Sequence, residues 1–150
     1  MPVAAIALGS NRGDRALHLA SAAARLSDFL QPLVVSTWHE TEPVDVGTQP
    51  HFLNAAAVGE TRLTARELLT ELLAIEQLHG RVRPYRGAAR TLDLDLILYG
   101  AEVLDEPDLA VPHPRFRERR FVLEPLAEIA PNLIDPVTGL TVAQLLARLP

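Results

Sequence analysis

Apolar and polar positions alternate most regularly in RTLDLDLILYG, Arg90 to Gly100. A period of two puts Leu92, Leu94, Leu96 and Leu98 on one face and Thr91, Asp93, Asp95, Ile97 and Tyr99 on the other, which predicts a half-buried strand. A helical period appears in Leu68, Leu72, Ile75 and Leu78. It is preceded by Thr64-Ala65-Arg66-Glu67, which fits the S/T-x-x-E capping box, and is closed by Gly80, a natural residue just past a helix end. Upstream, Val3 to Leu8 reads as a strand stopped by Gly9-Ser10-Asn11. Asp14 then caps a helix from Arg15 to Leu30, with Leu17, Leu26, Phe29 and Leu30 among its apolar positions and Pro32 ending it. Leu33 to His39 suits a second strand and Phe52 to Glu60 a third; between them Glu42 to Pro50 carries two prolines and a glycine and reads as a loop.

Beyond the aspartate strand, Glu102 to Leu104 reads as a short returning strand. Pro114 suits the first turn of a short helix, with Phe121, Leu123 and Leu126 facing a core. Asp135 to Gly139 forms a turn, and Thr141 or a neighbour caps a last helix reaching Leu149. The order is β, α, β, β, α, β with a C-terminal helical addition. That order predicts an α+β fold with a ferredoxin-like βαββαβ core, helices packed on a mostly antiparallel sheet.

Composition narrows the class. The chain has 150 residues, 48% hydrophobic and 22% charged, a globular balance that fits one domain over residues 1–150. A net charge of −5 argues against non-specific nucleic-acid binding. All 14 cationic side chains are arginine, a bias that keeps arginine abundance alone from being read as function. With no cysteine there is neither a disulfide framework nor a thiolate site. The N-terminal apolar run lacks a basic leader and is too short to cross a membrane, so a cytoplasmic protein without a membrane partner is expected, as a monomer.

The aspartate strand carries the candidate chemistry. At ~3.3 Å rise per residue, Asp93 and Asp95 project side by side with Cα atoms roughly 7 Å apart. Two carboxylates this close are costly unless solvated or shared with a cation, and Mg²⁺ takes carboxylate oxygens. A solvent-facing strand with hydrated aspartates would show the same pattern. Arg81, Arg83, Arg86 and Arg90 lie just upstream, however, and fixed cations beside a metal site point to a polyphosphate bound through metal.

GRVRPYRGAARTLDLDLILYG resembles the G-R-x-R, basic loop, R-T-[IL]-D-L-D-[IL] signature of the 6-hydroxymethyl-7,8-dihydropterin pyrophosphokinase family. IALGSN, Phe52-Leu53-Asn54-Ala55 and VPHPRFRERRFVLEPLAEIAP are similar to the family's first strand and turn, its [YF]-x-N-[AG] segment and its P-H-P run, in the same order. The resemblance implies transfer of the pyrophosphoryl group of ATP to the hydroxymethyl group of a reduced pterin, releasing AMP, with two Mg²⁺. It implies Asp93 and Asp95 as metal ligands and Arg81 and Arg90 as catalytic arginines. ATP would be bound by Glu76, Arg83, His113 and Arg119, and the pterin by Thr41, Pro43, Val44, Phe52, Asn54 and Phe121. Asn54 also stands out unaided, because a polar amide among the apolar neighbours of FLNAAAV needs hydrogen-bond partners.

Some positions depart from the family pattern. The basic loop is shortened and ends Gly87-Ala88-Ala89-Arg90 where the family has tryptophan; Asp108 and Ala110 precede P-H-P; Glu42 replaces a frequent proline. Two other readings stay open: another Mg²⁺-dependent nucleotidyltransferase or hydrolase, and a non-catalytic ferredoxin-like module.

Overall fold

The computed structural model describes residues 1–41, 51–80 and 91–150. Pro43, Val44, Arg81, Arg83, Arg86 and Arg90 lie outside the described residues, as do the two loops over 42–50 and 81–89. Strands β1 (Val3–Ser10), β2 (Gln31–Val35), β3 (His39–Thr41), β4 (Phe52–Glu60) and β5 (Asp93–Tyr99) form an antiparallel sheet in the order β2-β4-β1-β5, with β3 also on β4. Helices α1 (Arg15–Leu26) and α2 (Ala65–Leu78) cover one face; α3 (Arg120–Ile129) and α4 (Val142–Ala147) cover part of the other. Strands β6 (Leu104–Glu106) and β7 (Leu109–Val111) make a separate hairpin. Among the described residues no helix is long and apolar enough to cross a membrane.

Pairing of alternate residues explains why the sheet has two cores. Ala4, Ile6, Leu8, Ala55, Ala57, Leu94 and Leu96 point to α1 and α2, where Leu19, Leu26, Leu68 and Leu72 meet them. Ala5, Ala56, Ile97 and Leu98 point the other way and meet Phe116, Val122, Leu123 and Leu126. The small side chains of β1 and β4 leave room for helices to approach closely on either side. Local signals set the helices in place. Asp14 accepts from Leu17 N, and Thr64 and Glu67 complete a reciprocal capping box. Gly80 follows α2 with φ +66°, a left-handed conformation that glycine adopts without penalty.

The structure corrects several boundaries. Helix α1 ends at Leu26 and not Leu30; Phe29 and Leu30 sit in the turn that follows, with Leu30 fully buried, while Leu17 faces solvent. The second predicted strand is split. At Ser36 the backbone N still donates to Ala56 O, but Ala56 N donates to the Ser36 hydroxyl, so a side chain takes one of the two ladder bonds where β2 gives way to β3. Leu78 is exposed, at the frayed end of α2. The short strand shifts to Leu104–Glu106 because Pro107-Asp108 turns the chain back into β7. Arg66 of α2 grips that turn through both Asp108 carboxylate oxygens and Glu106. Pro114 precedes a short 3₁₀ turn, Phe116–Glu118, and lies outside α3; the final helix stops at Ala147.

One correction concerns the aspartate strand itself. Ile6 of β1 pairs with Leu96, but Ala5 pairs with Leu98, so Ile97 is an extra residue in a β-bulge. Past the bulge the faces exchange: Leu98 joins the α3 side and Tyr99 the α1 and α2 side, opposite to simple alternation. The Tyr99 hydroxyl there donates to Leu63 O.

Candidate functional site

The part of the α3-side face that α3 leaves uncovered holds the residues of interest. Cross-strand register aligns His39 with Asn54, Asn54 with Gly9, and Gly9 with Asp93. Residues directly opposite in an antiparallel ladder share a face, so these four form one row across the sheet. Beside it, Thr41 pairs with Phe52, and Ala7 pairs with both Ala56 and Asp95. The sheet therefore gathers Thr41, Phe52, Asn54, Asp93 and Asp95 from three separate stretches of sequence.

Asn54 is 94% buried, and its Nδ2 donates to Thr41 Oγ1 at 2.6 Å. Gly9 is its neighbour for a steric reason: a Cβ there would lie 3.1 Å from Asn54 Oδ1 and 3.7 Å from Phe52 Cδ1. Next to Thr41 a cavity of about 230 Å³ opens between β3 and α3, lined by His39, Thr41, Arg120, Phe121, Glu124 and Pro125. Phe121 is half-buried, and the Arg119 guanidinium stands 5.5 Å from its ring centroid, a cation–π distance. The aromatic ring and the cation thus reach the site from the first turn of α3.

His113 comes in on the other flank. Its backbone N donates to Ile97 O at 2.8 Å, so the bulge in β5 anchors the P-H-P segment beside the aspartates. Burial pushes its imidazole below the usual range; Arg119 adds to this, Asp93 opposes it, and Arg115 adds a smaller push. At neutral pH the ring is uncharged. Its Nδ1 accepts from Arg115 N at 3.1 Å, which leaves the proton on Nε2 as a donor for an anion.

Asp93 and Asp95 are half-buried at the start of β5. Among the described residues no cluster of three or more His, Asp or Glu side chains encloses a metal. Two neighbouring carboxylates fit Mg²⁺, which keeps waters and completes its shell with substrate phosphates. Glu76, expected to face a nucleotide, is 98% buried, and its Oε2 accepts from Leu94 N at 2.7 Å. That amide lies between the two aspartates, so the carboxylate braces the strand that carries them.

A second carboxylate cluster escaped sequence reasoning. Glu128 of α3 accepts from Thr37 N at 2.7 Å, Thr37 Oγ1 at 2.7 Å and His39 Nε2 at 2.8 Å. The bonds from the Thr37 backbone, the Thr37 hydroxyl and His39 hold its carboxyl at about 2. Some 90 positions separate these partners in sequence, and no local motif links them.

Residues 5–131 match the family model for 7,8-dihydro-6-hydroxymethylpterin-pyrophosphokinase. A Bacillus subtilis protein named 2-amino-4-hydroxy-6-hydroxymethyldihydropteridine pyrophosphokinase is 44% identical over 139 residues, covering 91% of this chain and 83% of that protein. The protein of the same name from Methylorubrum extorquens is 44% identical over 152 residues, covering 99% and 94%. The folic acid synthesis protein fol1 of Pneumocystis carinii is 40% identical over 139 residues; the match covers 92% of this chain but 19% of that protein. Among solved structures, a Plasmodium falciparum HPPK-DHPS triple mutant with pteroate superposes with a TM-score of 0.76 at 15% identity, over 98% of this chain and 43% of that one. At that identity the superposition speaks for the fold alone.

Proposed function

Since this chain belongs to the 7,8-dihydro-6-hydroxymethylpterin-pyrophosphokinase family, and so to ATP-dependent enzymes that move a pyrophosphoryl group onto a hydroxymethyldihydropterin in folate biosynthesis, we propose how its residues divide that work. The pterin lies against Phe52 and Phe121, with Asn54 and Thr41 at its polar edge and Pro43 and Val44 beside it. ATP lies across the start of β5, its phosphates met by His113 Nε2–H, Arg119 and Arg83. Asp93 and Asp95 would hold two Mg²⁺, which would supply charge neutralisation for the phosphates. Arg81 and Arg90 complete the charge balance around the transferred group.

The observation that carries this reading is the row Asn54, Gly9, Asp93. Strands about 4.8 Å apart put the amide and the carboxylate roughly 10 Å from each other, comparable to the length of a two-ring heterocycle. A pterin anchored at Asn54 would extend its hydroxymethyl group toward the metal-bound phosphates. The hydroxyl oxygen then forms a bond to the β-phosphorus and gives up its proton to solvent, the bond from that phosphorus to the α,β-bridging oxygen breaks, and AMP leaves with that oxygen and its electron pair. Positioning and charge neutralisation dominate such transfers, so no strong base is assigned. Glu76 serves as a brace for β5 in this scheme, not as a nucleotide contact.

We read the β2-β4-β1-β5 order, with both helices crossing on one face, as ferredoxin-like, and residues 1–150 as one pyrophosphokinase domain acting as a cytoplasmic monomer. The test of function is product analysis. AMP release that requires the reduced pterin, with a diphosphorylated pterin formed in equal amount, is the expected result. Free pyrophosphate or ADP would favour another nucleotidyltransferase or hydrolase, and no turnover a non-catalytic module.

Gly9→Ala tests the pocket. A methyl group 3.1 Å from Asn54 Oδ1 would push the amide off its position. The expected outcome is a rise of about tenfold in the Michaelis constant for the pterin, in line with overpacking costs of ~1–3 kcal/mol, and little change for ATP. Steady-state kinetics with each substrate varied in turn checks it.

A further inference from the structure

We infer that His39, clamped by Glu128, is a specificity-determining contact for the heterocycle, a role that rests on the pterin reading above. His39 stands in register with Asn54 on the same face of the sheet, and its ring lines the cavity shared with Thr41 and Phe121. It is thus the next polar side chain along the row from the amide that anchors the ligand. Its Nε2 is committed to Glu128 Oε1 at 2.8 Å. The carboxylate is itself immobilised by the Thr37 backbone and hydroxyl, both at 2.7 Å.

Three donors on one ionised carboxylate fix the ring's orientation. With Nε2 committed to that carboxylate, Nδ1 is the ring nitrogen left to meet a ligand. The edge of a pterin offers ring N–H and exocyclic amine donors beside ring-nitrogen and carbonyl acceptors, and a polar atom oriented in advance selects for such an edge at little entropic cost. An analogue lacking those groups would leave Nδ1 unsatisfied in a partly closed cavity, which disfavours it. Glu128 acts through His39 and is a positioning residue. Arg120 and Glu124 also line the cavity, where they are paired with each other in an i, i+4 ion pair at 3.2 Å.

The experiment compares wild type, His39→Phe, His39→Asn and Glu128→Gln for pterin-dependent AMP release and for pterin binding by its fluorescence. His39→Phe keeps a ring of similar bulk and removes both nitrogens; it should raise the pterin dissociation constant about tenfold while leaving the ATP constant and the unfolding midpoint near wild type. Glu128→Gln should raise the Michaelis constant for the pterin several-fold more than it changes kcat, and adding it to His39→Phe should cost little further. His39→Asn, which retains an acceptor, should recover part of the affinity. If folded His39→Phe binds the pterin as wild type does, the inference falls and the family reading stands. Wild type that releases no AMP with the pterin would overturn both.

Discussion

Asp95→Asn is expected to lower pterin-dependent AMP release by about a thousandfold, roughly 4 kcal/mol of transition-state stabilisation, while the fold stays intact. The substitution is close to isosteric. Asp95 pairs with Ala7 on β5, the last strand of the sheet order, so the swap changes the charge and keeps the side chain's size and shape. On the proposed placement, half of the carboxylate pair that would hold Mg²⁺ is lost, and with it the means of neutralising the triphosphate. Chelating Mg²⁺ from the wild type should reduce turnover at least as far. Retained activity in folded Asp95→Asn, measured beside its circular dichroism, would refute the placement of the metals on β5.

The second large effect falls on stability. Asp135 is fully buried in the turn before α4, where it accepts from Arg117 Nη2 at 2.9 Å, Val137 N at 3.0 Å and Thr138 Oγ1 at 2.7 Å. Burial alone would raise its carboxyl, but the bonds from Arg117, Thr138 and Val137 outweigh burial and hold it at about 2. Because the folded value lies below the ordinary 3.8, its stabilisation is present above that value and is lost as pH falls toward 2. Glu128, also held at about 2 against an ordinary 4.5, loses its contribution over the same acid range. Stability should therefore stay level from neutral pH to about 5 and fall below it. Arg117→Met leaves the Asp135 charge buried without its cation and should cost about 3–5 kcal/mol at pH 7. Urea unfolding at pH 7, 4 and 3 measures both effects, and in the variant the fall toward acid should be smaller, since protonating Asp135 now relieves a buried charge.

How much could be read from sequence depended on the range of the interaction. The capping residues Asp14, Thr64 and Thr141, the strand Phe52–Glu60 and the turn at Asp135 are settled by residues a few positions apart, and all appear where the pattern put them. The split between β2 and β3 could not be read, because it depends on Ser36 replacing a ladder bond to Ala56, 20 residues away. Nor could the bulge at Ile97, since an apolar run such as LILY gives no sign of which residue is extra. For the site, the D-x-D strand and the buried amide of Asn54 were visible as isolated oddities. Their alignment through Gly9 was not, because it is a property of strand register. The trio Thr37, His39 and Glu128 is the extreme case, a purely tertiary arrangement between a strand end and a late helix.

The bulge also has a bearing on which length changes the chain tolerates. A single deletion at Ile97 would remove the bulge and leave the register as it stands, with Leu98 still toward α3 and Tyr99 still toward α2, because Ile6 already pairs with Leu96 and Ala5 with Leu98. The carbonyl that receives His113 would vanish with it, so the histidine would lose its anchor beside the aspartates although neither had been altered. One surplus residue thus keeps two halves of a strand in separate reading frames.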